Sequence, residues 1–198
     1  MIKIAVTGGI GSGKSYISHL LEDMHIPVYN ADNEAKRLTA SDPVIREKLT
    51  ALLGGDVYKD GALNKPLLAS YLFSDPAHVL QINAIIHPCV REDFAAWVER
   101  QKGCEIVGME SAILYEAGFQ DTVDAVVMVY APVDLRVQRA MYRDGASEEQ
   151  VRVRMAAQMD DDEKRRRADF TVVNDGVQLL MPQLTGIIEQ LKTEKFVP

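Results

Sequence analysis

The chain has 198 residues, a length that favours one globular domain. Its composition is 47% hydrophobic and 26% charged, which suits a protein with a hydrophobic core, and no apolar run approaches the roughly 20 residues that cross a bilayer. The formal net charge of −7 argues against duplex nucleic acid as a partner. Cys89 and Cys104 fit neither a disulfide framework nor a metal site, so we expect a reduced, cytoplasmic setting.

The first 24 residues predict a strand, a glycine-rich turn and a helix. Residues 2–6 read as a short buried strand, and residues 17–24 repeat apolar side chains at helical spacing. Between them, residues 8–15 match the pattern of glycine, four residues and then Gly-Lys-Ser. A strand before this pattern and a helix after it are the context in which such a loop binds phosphates.

The residue types of this loop explain the chemistry that we expect. Glycines let the backbone wrap around an anion with its N–H groups pointing inward, and the helix that follows adds the positive end of its dipole. Lys14 can bring a full charge to the β- and γ-phosphates, and the Ser15 hydroxyl can ligate Mg²⁺. Ordering four glycines costs conformational entropy on folding, and a turn that bound nothing would gain no interaction to offset that cost. The loop therefore predicts a nucleoside triphosphate, ATP or a relative, as ligand.

Asp32 follows the second predicted strand, residues 26–29. In a parallel sheet the carboxyl ends of strands share one edge, so Asp32 is a candidate to face the nucleotide site. The alternative is that Asp32 caps a helix beginning near Glu34, and the residues alone leave these two interpretations even.

Residues 34–102 contain no convincing parallel strand. Their patterns predict helices over residues 36–39, 44–53, 66–73, 76–86 and 88–102. Residues 33–102 are therefore expected to form a helical lobe that holds a second substrate. His87 lies on one helical face with Asn83, and a structural histidine is the commoner reading of such a residue.

Three further strands complete the pattern of the chain. They are predicted over residues 105–109, 125–130 and 170–173, and a closing helix is predicted over residues 179–191. Glu110, at the exit of the first of these, is expected either to help hold Mg²⁺ or to be a solvent-facing carboxylate. Five strands alternating with helices predict a three-layer α/β sandwich.

Residues 144–167 form a strongly charged segment. Before it, Arg136, Arg139 and Arg143 are spaced to lie on one helical stripe, and within it Ser147 and Gln150 form a capping box. The four acids and four bases of residues 160–167 are expected to be solvated surface. The functional alternative is a lid that closes arginines over a transferring phosphoryl group.

Nearly the whole chain resembles the dephospho-coenzyme A kinases. The matching pieces are Thr7-Gly8-Gly9-Ile10-Gly11-Ser12-Gly13-Lys14-Ser15, Ala31-Asp32, Asn83-Ala84-Ile85-Ile86-His87-Pro88, Leu114-Tyr115-Glu116, Arg139 with Arg143-Asp144, Arg154 with Gln158, Ala168-Asp169 and Asn174-Asp175-Gly176. Many nucleotide-binding proteins share the first piece, whereas the run ending in His-Pro and the closing pieces are far more specific. The resemblance implies an α/β/α P-loop kinase fold with a five-stranded parallel sheet, a helical acceptor lobe and a mobile lid at residues 144–167.

The resemblance also implies a reaction, in which ATP phosphorylates the ribose 3′-hydroxyl of dephospho-coenzyme A to give coenzyme A and ADP. It implies Asp32 as the base, with Lys14, Arg139 and Arg143 as further catalytic residues. The implied nucleotide-binding residues are Gly8, Gly9, Gly11, Ser12, Gly13, Lys14, Ser15, Tyr16, Arg143, Arg154 and Asn174. Ser15 would hold Mg²⁺, and Asp32, His87 and Leu114 would bind the acceptor.

The chain departs from the family pattern at several positions. Family members often have Asp where Asn30 stands, Thr at Tyr16, Gln at Arg136, and Pro-Leu-Leu-Phe-Glu around residues 111–116. A kinase for another small hydroxyl acceptor, such as a nucleoside monophosphate, is the alternative. A nucleotide-dependent switch would need a guanine-reading Asn-Lys-x-Asp segment, which this sequence lacks. Monomer and small homo-oligomer are both open.

Overall fold

The structure is a computed structural model that describes residues 1–193. Its strands are β1 (Ile2–Thr7), β2 (Val28–Asn30), β3 (Tyr58–Lys59), β4 (Ala62–Leu63), β5 (Ile106–Glu110), β6 (Ala125–Tyr130) and β7 (Phe170–Val173). Its helices are α1 (Lys14–Asp23), α2 (Ala31–Ser41), α3 (Pro43–Leu53), α4 (Lys65–Ser74), α5 (Pro76–Arg100), α6 (Val133–Asp144), α7 (Glu148–Ala156), α8 (Asp161–Arg167) and α9 (Leu180–Leu191).

A five-stranded parallel sheet in the order β2-β5-β1-β6-β7 forms the centre of the fold. Side chains alternate between its faces, and those of Ile4, Val6 and Val127 join α1 and α9 in one hydrophobic core. Side chains of the opposite parity, such as Met109 and Met128, are also fully buried. The sheet is therefore covered on both faces, which explains its nearly continuous apolar strands and confirms the predicted α/β architecture.

The chain divides into two compact units. The first contains the parallel sheet and, among the described residues, is built from residues 1–30 and 101–193. The second comprises Ala31–Arg100, in which α2, α3 and α4 pack against the long helix α5. Buried Ile45, Leu49 and Phe94 contribute to the interior of this second unit, which also holds the β3–β4 hairpin.

Two predictions about local structure were wrong. The helices expected on either side of Pro88 are one continuous helix, α5, with Pro88 inside it. Proline removes one helical hydrogen bond, but apolar side chains before and after it, Ile82 and Val90, are both buried and hold the two halves in one path. The helix expected near Glu34 begins at Ala31, so Asp32 lies within its first turn and is not its N-cap.

None of the helices among residues 1–193 combines the length and apolar character needed to cross a bilayer.

Candidate functional site

The predicted phosphate loop connects β1 to α1 at the carboxyl edge of the sheet. Gly11 and Gly13 have φ angles of 78° and 96°, in the left-handed region that side chains disfavour. Gly13 is the N-cap of α1, and the amide of Asn174 occupies the space where a Cβ at Gly13 would stand. The loop therefore opens onto the amino end of a helix, which is the arrangement that binds anions.

Lys14 is the first residue of α1, and its side chain turns back over the loop. Its Nζ atom donates a hydrogen bond of 3.2 Å to the carbonyl oxygen of Gly9. The ammonium group is thereby held beside the backbone that would surround a phosphate, where its charge favours a polyanion.

Ser15 and Glu110 are joined by a hydrogen bond. The Ser15 hydroxyl donates to Glu110 Oε1 at 2.7 Å, and Asn30 Nδ2 donates to Glu110 Oε2 at 3.2 Å. Glu110 is only 5% exposed, so the interpretation of this residue as a solvent-facing carboxylate was wrong. The network links the phosphate loop to the carboxyl ends of β5 and β2.

Asn174 follows β7 and holds the loop from the other side. Its Nδ2 atom donates to the carbonyl oxygen of Ser12 at 2.8 Å. Arg139 donates to both the backbone oxygen and Oδ1 of Asn174, at 3.1 and 3.4 Å. Arg139 therefore contacts the loop indirectly, through Asn174.

A cavity of about 450 Å³ lies beside Asn174. Tyr16 and Leu20 of α1 form one wall, and residues 176–182 form the other. Tyr16 is more than half exposed, and the apolar side chains around it offer a surface suited to a flat aromatic ring.

Arg136 and Gln158 both bind Ile10 in the phosphate loop. Arg136 Nε donates to the carbonyl oxygen of Ile10 at 2.9 Å, and Gln158 Oε1 accepts a hydrogen bond of 3.2 Å from the Ile10 N–H. Arg136 is buried and forms an ion pair with Asp161. Burial lowers the pKa of the Arg136 guanidinium, while Tyr130 and Asp160 oppose that shift.

Arg143 and Arg154 share a different carboxylate, Asp144. Arg143 donates to it at 2.7 and 3.1 Å, and Arg154 lies 2.9 Å from it. Hydrogen bonds from Arg143 and then Arg154 lower the pKa of Asp144 to about 2. The three arginines of the predicted stripe therefore differ in their surroundings. Arg136 is buried against the loop, Arg139 is half-buried and binds Asn174, and Arg143 is exposed and binds Asp144.

Sequence reasoning missed the role of Lys164. It lies in the run of charges that was expected to be solvated surface, yet it is fully buried. Its Nζ atom donates to the carbonyl oxygen of Ala112 at 2.8 Å and lies 3.1 Å from Glu116 Oε1. Four adjacent basic residues give no sequence signal of which one points inward, although Glu116 belongs to the motif Leu114-Tyr115-Glu116.

The other predicted site residues have varied positions. Asp32 is the second residue of α2, which begins directly after β2. His87 is half-buried within α5, and burial, followed by the charge of Arg91, lowers the pKa of its imidazole. Leu114 is completely buried, so its side chain could touch a substrate only if its neighbours moved.

The second unit contains a large apolar cavity of about 760 Å³. Its lining includes Leu68, Leu72 and Phe73 of α4 and Ile82 and Asn83 of α5. Phe73 is 88% exposed, which is unusual for a phenylalanine. A cavity of this size and character suits a largely apolar ligand with a few polar groups.

Comparisons with known proteins agree with one another. The dephospho-CoA kinase family model matches residues 2–179. The dephospho-CoA kinase of Bacteroides fragilis (strain YCH46) is 54% identical over 94% of this chain and 91% of its own length. The crystal structure of TT1252 from Thermus thermophilus covers 96% of this chain and 98% of its own, with a TM-score of 0.84 and 33% identity. A dephospho-CoA kinase from Campylobacter jejuni shares the fold, covering 96% of both chains, with a TM-score of 0.68 and 21% identity.

Proposed function

The chain belongs to the dephospho-CoA kinase family, and we propose that it transfers the γ-phosphoryl group of ATP to the ribose 3′-hydroxyl of dephospho-CoA. The observation that carries this proposal is the family match across residues 2–179, which includes both the phosphate loop and the helical unit. The products are coenzyme A and ADP. A nucleoside monophosphate kinase is not favoured, because the match extends well beyond the loop that such kinases share.

ATP would bind with its phosphates in the loop between β1 and α1. Backbone N–H groups from Gly11 to Tyr16 would hold the phosphate oxygens, and Lys14 would neutralise charge on the β- and γ-phosphates. The cavity beside Tyr16 and Asn174 would accept the adenine ring. These assignments rest on the loop geometry and on the family pattern.

Mg²⁺ would be held at the Ser15–Glu110 pair. A hydroxyl and a buried carboxylate are oxygen ligands of the kind that Mg²⁺ prefers, and the ion usually takes its other ligands from phosphates and water. Residues 1–193 contain no cluster of three or more carboxylate, histidine or cysteine side chains that could cage a metal, which fits an ion bound together with nucleotide. When bound, Mg²⁺ would neutralise charge on the β- and γ-phosphates.

Asp32 would act as the general base. It would accept the proton of the ribose 3′-hydroxyl while that oxygen forms a bond to the γ-phosphorus and the bond to the β,γ-bridging oxygen breaks. Its support is its place in the family motif Ala31-Asp32 and its position two residues after Asn30, which binds Glu110. Positioning and charge neutralisation would supply most of the rate enhancement.

The helical unit, Ala31–Arg100, would bind the acceptor. Its apolar cavity has the size and lining to accept the long arm of dephospho-CoA, with Asn83 as a polar contact. His87 would serve as a neutral hydrogen-bonding group, since the pKa of its imidazole is lowered. Leu114 is completely buried, so it would affect acceptor binding only by supporting the residues packed around it.

Within residues 144–167, the part that carries Arg154 would act as a lid over the phosphates, while Gln158 and Lys164 anchor the rest of the segment. Arg139, Arg143 and Arg154 would supply positive charge to the transferring group. Asp144 holds two of these arginines in the present structure, so closure would exchange that carboxylate for phosphate oxygens. We place the protein in the cytoplasm as a monomer or small homo-oligomer.

The experiment that tests the proposal measures ADP formation from ATP and Mg²⁺ with and without dephospho-CoA. Release should depend on dephospho-CoA, and mass spectrometry should detect a product one phosphoryl group heavier. Adenosine monophosphate and a free sugar serve as competing acceptors. Transfer to either at a higher kcat/KM than to dephospho-CoA would reject the proposed substrate.

A further inference from the structure

Ile10, in the glycine-rich phosphate loop, is held at both of its backbone polar groups by side chains. Arg136 of α6 binds its carbonyl oxygen at 2.9 Å, and Gln158, which follows α7, binds its N–H at 3.2 Å. The two side chains come from positions 126 and 148 residues away in the sequence. Such long-range contacts restrict a loop whose glycines leave it many conformations.

The Ile10 side chain adds a third contact to the same region. It packs against a small hydrophobic cluster formed by buried Val137 and Ala140 of α6 and Val151 of α7. One residue of the loop is thus fixed through its N–H, its carbonyl and its side chain by the segment that follows β6.

Two loop glycines also fit this contact. A Cβ on Gly11 would collide with the main chain of Arg136, and a Cβ on Gly9 would collide with the Arg136 guanidinium and with Asp161. The close approach of α6 therefore accounts for glycine at both positions. The loop is shaped to receive Arg136 as well as a phosphate.

Arg136 is poorly suited to binding phosphate itself. It is 4% exposed, its Nε donates to Ile10, and its guanidinium is paired with Asp161. If Arg136 left this position, the Asp161 carboxylate, whose side chain is only 14% exposed, would lose its charged partner. Its contacts point to a role in holding the loop.

We infer that Arg136 and Gln158 are positioning residues that hold the phosphate loop, through Ile10, in the conformation that binds nucleotide. This inference rests on the proposed function, because ATP is taken as the ligand of the loop. Where only part of the population has the competent conformation, the apparent dissociation constant rises by the inverse of that fraction. Releasing Ile10 should therefore weaken ATP binding, while bound ATP restores the loop and preserves turnover.

The test compares Arg136→Met and Gln158→Leu with the wild type. Isothermal titration with ATP and Mg²⁺, in the absence of dephospho-CoA, gives the dissociation constant and the number of sites. Steady-state kinetics then give kcat at saturating ATP and the KM of each substrate. Lys192→Met is the control, because Lys192 is an exposed cation that pairs with Glu105 and lies outside the phosphate loop and the lid.

We expect the dissociation constant for ATP to rise about tenfold in each variant, corresponding to a competent fraction of roughly one tenth. The stoichiometry, the KM of dephospho-CoA and kcat at saturating ATP should stay within about twofold of wild type, as should every parameter of Lys192→Met. A merely structural defect would instead reduce the number of sites and kcat together.

An ATP dissociation constant within twofold of wild type in both variants would overturn the inference. If Arg136→Met does not fold, Gln158→Leu decides the question, since Gln158 is only half-buried. If the wild type binds ATP but does not phosphorylate dephospho-CoA, the proposed function fails. In that case the ratio of the ATP dissociation constants of variant and wild type still tests the inference about Arg136 and Gln158, because it does not depend on the acceptor.

Discussion

The Ser15 hydroxyl donates a 2.7 Å hydrogen bond to Glu110, a carboxylate that is almost completely buried at the end of β5. Burying an ionised carboxylate is costly unless it has hydrogen-bond partners, and here Ser15 and Asn30 each supply one. Glu110 therefore ties the first turn of α1 to two strands of the sheet. The same oxygen atoms are those proposed to hold Mg²⁺ or its water.

Glu110→Gln should raise the Mg²⁺ concentration that gives half-maximal activity by about tenfold or more, since a ligand or hydration-shell carboxylate becomes neutral. The measurement is a Mg²⁺ titration of ADP formation at fixed ATP. Glu105→Gln is the control, because Glu105 is an exposed carboxylate one residue before β5 that pairs with a surface lysine, Lys192. Equal Mg²⁺ dependence in Glu110→Gln and wild type would remove Glu110 from the proposed ion site.

Much of the sheet could be predicted because its signals are local. The apolar run of β6 and the short β7 were both expected at residues 125–130 and 170–173, where the structure has them. Glycines, lysine and serine at fixed spacing likewise identified the phosphate loop. A buried parallel strand is recognised from a short apolar run, and a phosphate loop from a few residues at fixed spacing, so both can be predicted from local sequence.

The contacts between distant segments could not be predicted in this way. Lys164 is buried while its neighbours are not, because Glu116 and the carbonyl of Ala112 happen to lie beneath it. The helical periodicity placed Arg136 and Arg139 on one stripe, but it does not predict their partners. Arg136 binds Ile10, whereas Arg139 binds Asn174. Such partners depend on how helices and strands pack against one another, and the spacing of residues along one helix carries no information about that packing.

Asp32→Asn should leave the dissociation constant for ATP within about twofold of wild type and lower kcat by about 10²–10⁴, the usual range for general acid–base catalysis. Asparagine keeps the shape of the side chain but cannot accept the proton of the ribose hydroxyl. The assay pairs calorimetric ATP binding with single-turnover formation of coenzyme A. Asp23→Asn, at the exposed end of α1, is the control. Near-normal turnover by Asp32→Asn would assign the base to another group.

Lys164→Met should destabilise the protein by about 2 kcal/mol, because it removes a charged hydrogen bond to Ala112 and an ion pair whose lysine is buried and whose glutamate is 26% exposed. Methionine has a similar length, but it leaves Glu116 and the carbonyl of Ala112 without the ammonium that they share. Urea unfolding followed by circular dichroism measures the change. Lys192→Met breaks an exposed pair with Glu105 and should cost less than about 1 kcal/mol. Similar losses in the two variants would show that burial of Lys164 contributes little.

Tyr115→Phe should leave stability unchanged or raise it by up to about 1 kcal/mol. The Tyr115 hydroxyl is buried and has no hydrogen-bond partner among residues 1–193, so the protein already bears the cost of removing it from water. Burial, with a smaller effect of Asp169, raises the pKa of this phenol to about 12, so the group is neutral in ordinary buffers. Phenylalanine retains the ring beneath Arg167, whose guanidinium carbon lies 5.8 Å from the ring centre.

Tyr58→Phe provides the matched comparison for this last prediction. The Tyr58 hydroxyl donates to the carbonyl oxygen of Thr39 at 2.6 Å, so its removal breaks a hydrogen bond and should cost about 1 kcal/mol or more. Urea unfolding of both variants, at a pH well below the raised pKa of Tyr115, separates the two cases. A loss of stability in Tyr115→Phe as large as that in Tyr58→Phe would mean that the Tyr115 hydroxyl has a stabilising partner, such as bound water. Because the two substitutions remove the same atom, a difference between them reports the presence of the hydrogen bond and not the size of the side chain.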